Sequence, residues 1–196
     1  MRGVILAGGL GTRLKPFTDT ANKHLAPVYT DEGAFPLIYY PIKTLVKSGI
    51  NDILIISSQE HCGPIIEVLG DGENFGCSFT YKIQDMFNPD KPVGIASALR
   101  LAQGFVGEQS FAVVLGDNYY QNNFLREFID FDKLTKGQKK APYAKIFLKE
   151  VHDPERFGVA TVNDSGEVTK IVEKPKKPET NLAVTGLYLY THMYSH

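Results

Sequence analysis

Four short stretches carry side chains able to act on phosphates. The first is Leu6-Ala7-Gly8-Gly9-Leu10-Gly11-Thr12-Arg13-Leu14. Glycines directly after an apolar run let backbone N–H groups approach phosphate oxygens closely. Thr12 adds a hydroxyl donor, and Arg13 adds a fork of donors matched to a phosphate. The string is not a Walker loop, since no Gly-Lys-Ser/Thr follows at the right spacing. It also fails the dinucleotide fingerprint, because Leu14 stands where the third glycine belongs. Its bland alternative is a tight turn with one exposed arginine. The second stretch is Gly116-Asp117-Asn118, which follows the apolar run Phe111-Ala112-Val113-Val114-Leu115. A carboxylate there suits Mg²⁺, which binds through one or two carboxylates together with substrate phosphates. An Asx turn closing the strand is the structural alternative. The third, Asn22-Lys23-His24-Leu25-Ala26-Pro27-Val28, places a lysine shortly after the glycine loop. The fourth, Glu173-Lys174-Pro175, ends a strand with an adjacent acid and base. Taken singly, Lys23, Glu173 and Lys174 read as ordinary surface charges.

These residues need a frame that gathers them, and the hydrophobic pattern supplies one. Residues 3–7 form an apolar run ending in glycines, as a buried parallel strand does. Residues 36–47 carry Leu37, Tyr40 and Leu45 at near-helical spacing, with Gly49 as a stop. Residues 53–56 predict a second buried strand, 61–69 a short helix closed by Gly70-Asp71-Gly72, and 79–83 a third strand. An Ala-rich helix over 94–102 and a central strand over 111–115 complete the alternation. This order predicts an α/β chain with a Rossmann-like, mostly parallel sheet and helices on both faces. Ligands of such sheets bind beyond the carboxyl ends of the strands. Both the glycine loop and Asp117 fall there, and that shared edge favours the ligand-binding reading of each over the turn. After Lys140 the pattern turns β-rich, with strands expected over 143–151, 157–162, 168–173 and 183–190. Asn163-Asp164-Ser165-Gly166 reads as a hairpin turn, and the basic, proline-rich stretch 174–178 as a solvated connector.

Composition sets the outer bounds. The chain has 196 residues, with 43% hydrophobic and 22% charged residues, which excludes a disordered chain and predicts one domain. Lys plus Arg number 21 against 22 for Asp plus Glu, so no long-range field recruits nucleic acid or an anionic membrane. Cys62 and Cys77 form neither a disulfide framework nor a zinc pattern. His61, His152, His192 and His196 are scattered without ligand spacing. The apolar start Val4-Ile5-Leu6-Ala7 ends at Gly8-Gly9, short of a signal core, and no stretch reaches the length of a membrane span. The expectation is a cytoplasmic protein whose thiols are reduced.

Seven motifs follow in a fixed order: the loop from Leu6 to Leu14, the stretch from Asn22 to Val28, Tyr39-Tyr40-Pro41, Leu115-Gly116-Asp117-Asn118, Phe157-Gly158-Val159, Glu173-Lys174-Pro175 and Gly186-Leu187-Tyr188. In this order they resemble the sugar-1-phosphate nucleotidyltransferases, most closely the members that couple dTTP with glucose 1-phosphate. The resemblance implies a single nucleotidyltransferase domain over residues 1–196. Its nucleotide-binding part would cover 1–140 and its sugar-phosphate-binding part the β-rich extension 141–196. It also implies Mg²⁺-dependent transfer of a nucleotidyl group to a sugar 1-phosphate, with pyrophosphate released. By that resemblance Leu6, Gly8, Gly9 and Gly11 hold the nucleotide through the backbone, while Thr12, Arg13 and Lys23 hold its phosphates. Gln84 and Gly94 meet the base, and Asp117 is the Mg²⁺ ligand. Asn118, Gly158, Glu173, Lys174 and Val184 serve the sugar phosphate, with Lys174 on its phosphate. Arg13, Lys23, Asp117 and Lys174 are thus the candidate catalytic residues.

Three departures qualify the likeness. His24 stands where thymidylyl-transferring members usually have Gln. The link 85–93 is longer than usual, and no counterpart of the family's second metal-binding aspartate occurs in these residues. The chain therefore reads as C-terminally shortened and weakly active or inactive in isolation. The family often forms dimers or tetramers, and a homo-oligomer is expected on that ground alone. The alternatives are another pair of substrates, such as UTP or another hexose phosphate, and a catalytically silent subunit that binds nucleotide for regulation.

Overall fold

The computed structural model describes residues 1–9, 11, 14–19, 21–31, 33–85, 94–136 and 143–191. Two compact units make up the chain: Met1–Ala144 with the terminal residues from Leu189 onward, and Lys145–Tyr188.

The first unit is built on four strands, β1 (Arg2–Ala7), β4 (Asp52–Ser58), β5 (Ser78–Gln84) and β6 (Phe111–Leu115), paired in the order β5-β4-β1-β6. All three pairings are parallel, with Leu6 opposite both Ile56 and Leu115, and Ser58 opposite Gln84. Their carboxyl ends therefore share one edge. In a strand, successive side chains point to opposite faces. Val4 and Ile5 are both 0% exposed, and Ile53, Leu54, Ile55 and Ile56 are at most 1% exposed, so the sheet is covered on both faces. The cover comes from helices: α1 (Tyr39–Lys47) lies against β1 and β6, α2 (Gln59–Leu69) against β4 and β5, and α3 (Ile95–Val106) against β1, β4 and β5. Each Ile or Leu buried in this way contributes roughly 1.5–3 kcal/mol.

The expected parallel α/β sheet is present, with two differences in its elements. The helix expected from residue 36 begins at Tyr39, because Pro36 ends a two-stranded hairpin, β2 (Pro27–Thr30) with β3 (Gly33–Pro36). A residue before proline is pushed toward extended backbone, which suits Phe35 in a strand. Pro41 then sits in the first helical turn, where a missing N–H costs nothing. A further helix, α4 (Leu125–Lys136), was not expected from the sequence. Asn123 caps it by accepting the Leu125 N–H at 2.9 Å, and Phe124, Phe128 and Phe131 bury one face.

The second unit is antiparallel. β8 (Gly158–Val162) pairs with β9 (Val168–Glu173) and with β10 (Leu182–Tyr190), and β7 (Ala144–Glu150) also pairs with β10. The Asn163 turn joins β8 to β9. Its side-chain Oδ1 accepts from the N–H groups of Ser165 and Glu167, and Gly166 takes φ +77°. No helix among the described residues is long and apolar enough to cross a membrane.

Candidate active site

The carboxyl edge of the first unit holds a cavity of about 290 Å³. Leu6 and Leu115, paired across β1 and β6, form its apolar base, and Ile95 and Ala98 of α3 form a wall. The rest of its lining is Gly8, Gly9, Lys23, His24, Gln84, Gly94 and Asp117. A small apolar pocket with a few convergent polar groups is the usual form of a ligand site.

Chain geometry explains the glycines. A Cβ on Gly8 would stand 3.2 Å from the Gln84 Oε1, and one on Gly9 3.0 Å from the Lys23 Nζ. Gly11 takes φ +64°, and a Cβ there would lie 2.7 Å from the Thr18 Cγ2. The Thr18 hydroxyl in turn donates to the Gly11 carbonyl at 2.9 Å. Gln84, 6% exposed at the end of β5, donates through Nε2 to the Gly94 carbonyl at 3.1 Å. That bond joins the two residues expected at the base across the link between them.

The charged groups adjoin the glycines, with Lys23 against Gly9 and Gly11. Lys23 Nζ lies 2.6 Å from Asp117 Oδ2, with side chains 16% and 36% exposed. Burial alone would raise the Asp117 pKa, but the hydrogen bond and charge of Lys23, with a smaller contribution from His24, hold it below the ordinary value. His24 is 1% exposed, and its pKa falls to about 3, chiefly through burial and then through the Lys23 charge, against the opposing pull of Asp117. The imidazole is therefore neutral at pH 7. Asn22 Oδ1, which accepts the His24 backbone N–H at 2.9 Å, lies 2.8 Å from Nδ1. An amide oxygen only accepts, so the ring proton is on Nδ1 and Nε2 is bare.

The structure thus brings Leu6, Gly8, Gly9, Lys23, Gln84, Gly94 and Asp117 to one cavity. Gly11 shapes the adjoining loop without lining it. Asn118 follows Asp117 but turns its Nδ2 to the Tyr120 hydroxyl at 2.8 Å. Thr12 and Arg13 lie outside the described residues, as do residues 86–93 of the long link, His192 and His196. In the second unit Gly158 pairs with Glu173 on β8 and β9, and a Cβ on Gly158 would stand 3.2 Å from the Glu173 Oε2 and 3.8 Å from Val184. Three of the expected sugar-phosphate residues therefore form one cluster. Lys174 follows at φ +45°, the one non-glycine residue with positive φ among those described, its Nζ 3.3 Å from the Glu173 Oε1.

Sequence reasoning missed Ile95, Ala98 and Leu115 as lining, and it missed the tight fit of Gly116. A Cβ on Gly116 would meet the His24 Cδ2 at 2.9 Å and the Leu6 carbonyl oxygen at 3.0 Å. The helical spacing of Ile95 and Ala98 after Gly94 was the available signal for the wall. A larger cavity of about 610 Å³, lined by residues of α1 and by the segment from Tyr119 to Asn123, contains none of the expected site residues.

Comparison with known proteins places the chain among relatives. It is 40% identical over 191 residues to glucose-1-phosphate thymidylyltransferase of Neisseria meningitidis, covering 97% of this chain and 61% of that protein. It is 41% identical to the protein of that name from Xanthomonas campestris, 59% of which it covers. The chain therefore spans about three fifths of the length of these curated relatives. A crystal structure of a Bacillus anthracis protein assigned as a glucose-1-phosphate thymidylyltransferase, in complex with sucrose, superposes with a TM-score of 0.84 at 44% identity. The match covers 97% of this chain and 71% of that one. A UDP-glucose pyrophosphorylase at 23% identity, TM-score 0.72, shares the fold. A family profile described as nucleotidyl transferase matches residues 2–195, and with that match the chain belongs to the nucleotidyl transferase family.

Proposed function

We propose that the chain transfers a thymidylyl group from dTTP to glucose 1-phosphate, giving dTDP-glucose and pyrophosphate. The observation that carries this reading is the single cavity in which glycine backbone, Gln84, Lys23 and Asp117 meet at the ends of parallel strands. In the reaction an oxygen of the sugar phosphate bonds to the α-phosphorus, and the bond from that phosphorus to the oxygen bridging toward the β-phosphate breaks. A sugar phosphate has a second pKa of about 6, so the attacking oxygen is already anionic at neutral pH and no general base is needed. The barrier is the approach of one anion to another, so catalysis rests on positioning and on compensating charge.

The backbone of Gly8 and Gly9 leaves room for the nucleotide, and Gln84, held against Gly94, offers an amide edge to the base. Lys23 brings an ammonium to the phosphates. Arg13 has the role of a second phosphate clamp in this reading. Glu173 of the second unit binds sugar hydroxyls and Lys174 the sugar's phosphate, with Gly158 and Val184 beside them and Asn118 on the sugar. Among the described residues no three His, Cys, Asp or Glu side chains cluster to hold a metal ion. A single carboxylate fits Mg²⁺ nonetheless, because this ion takes one or two carboxylates and completes its shell with phosphates and water. Asp117 is the residue that would hold it. Mg²⁺ supplies charge neutralisation of the phosphates when bound.

The test is pyrophosphate release from dTTP and from UTP, each with glucose 1-phosphate and Mg²⁺, run beside thermal melting with nucleotide. Release that favours dTTP supports the proposal. Stabilisation by nucleotide without release from any pair supports a silent binding subunit instead. Absence of both release and stabilisation in a folded sample overturns the reading.

A further inference from the structure

Lys23 and Asp117 occupy each other, which neither of their proposed roles requires. The ammonium is 2.6 Å from one carboxylate oxygen, within the cavity wall. A divalent cation on that carboxylate would face the ammonium at close range, with about twice the repulsion of two unit charges. The lysine must therefore leave before a cation settles. The glycine loop has a path ready for it. A Cβ on Gly11 would stand 3.3 Å from the Lys23 Cδ, and one on Gly9 3.2 Å from Cε and 3.0 Å from Nζ. The aliphatic stem thus already lies along the loop that is to hold the phosphates, with no side chain of Gly9 or Gly11 in its track. Turning the last bonds of the side chain moves the charge off Asp117 without moving the stem.

We propose that Lys23 is an exchangeable guard on Asp117. It keeps divalent cations off the nucleotide-free protein and passes to the triphosphate as nucleotide enters, so that cation and nucleotide are taken up together. This rests on the nucleotidyl-transfer reading but goes beyond it: that reading gives each residue a role and says nothing of their coupling. The coupling is reciprocal, so nucleotide tightens cation binding by the same factor as the cation tightens nucleotide binding.

The experiment measures free Mn²⁺ by electron paramagnetic resonance against wild type, Lys23→Met and Lys23→Arg, each without and with dTTP. The same Mn²⁺–dTTP mixtures lacking protein serve as the reference, and protein-bound dTTP is read by equilibrium dialysis. Lys23→Met is expected to bind Mn²⁺ alone about tenfold more tightly than wild type, the scale of one lost charge-assisted hydrogen bond. Its gain in Mn²⁺ affinity on adding dTTP should shrink. Lys23→Arg, which keeps a cation at Asp117, should stay close to wild type. If the methionine variant does not fold, Lys23→Gln replaces it. Equal binding of Mn²⁺ alone by wild type and the neutral variants, with joint Mn²⁺ and dTTP uptake intact in wild type, overturns the guard and leaves nucleotidyl transfer standing. Failure of folded wild type to take up dTTP with Mn²⁺ overturns both.

Discussion

Replacing Gly116 by alanine tests whether the cavity depends on close backbone packing at the end of β6. The residue has no strained φ to lose, so the effect must come from space. Its new methyl would lie 2.9 Å from the His24 Cδ2, 3.0 Å from the Leu6 carbonyl oxygen and 3.2 Å from the Ala7 Cβ. Two of these neighbours cannot yield readily. The Leu6 carbonyl accepts the Gly116 N–H at 2.9 Å and belongs to β1. The His24 ring is buried and bonded to Asn22. Overpacking of this kind costs about 1–3 kcal/mol. At roughly 2–4 °C per kcal/mol for a chain of this size, the melting temperature should fall by about 2–12 °C. Gly104 is the matched control. It lies inside α3, and a Cβ there would meet only the tip of Lys82 at 4.0 Å. Gly104→Ala should therefore stabilise by about 0.5–1 kcal/mol through lost backbone freedom in the unfolded chain. Calorimetry on the two variants reads the difference directly. If Gly116→Ala melts at or above wild type, steric closure at this edge is wrong.

Three further outcomes follow from the same site. Asp117→Asn should keep the fold and lower pyrophosphate release at least about 10²-fold, the scale of removing one preorganised charge contact; near-normal turnover by the folded variant would remove Asp117 from the chemistry. Gln84→Ala should cost about 1 kcal/mol of stability through the Gly94 bond and weaken dTTP binding in calorimetric titration, whereas unchanged affinity would exclude a base contact. His24 gives a pH dependence of defined sign. Its pKa lies near the ordinary 6.5 in the unfolded chain and at about 3 when folded, so between these values the unfolded state holds the extra proton. Stability from this group is complete above about pH 6.5 and is lost as pH falls toward 3. Urea midpoints taken from pH 7 to 4.5 should fall less steeply in His24→Gln than in wild type, and parallel profiles would refute the assignment.

The sequence made the strands of the first unit legible because burial on both faces leaves uninterrupted apolar runs. Residues 111–115 and the core of β4 need no tertiary information to be seen. It did not reveal α4, because the charges of Arg126, Asp130 and Lys133 dilute the helical stripe of Phe124, Phe128 and Phe131, although that spacing of four and three was there to read. The site divides in the same way. Strand ends are set by local pattern, so the order of apolar runs and glycines alone puts Gly8, Gly9 and Asp117 at one edge. Which side chains meet across that edge is set by packing between segments 94 residues apart, as with Lys23 and Asp117. Gly116 shows the consequence most clearly. By sequence it is the first residue of a turn, where asparagine or serine would serve as well. In the fold it is the only residue type that lets β6 end against both the Leu6 carbonyl and the His24 ring, so its constraint belongs to a partner that no local pattern names.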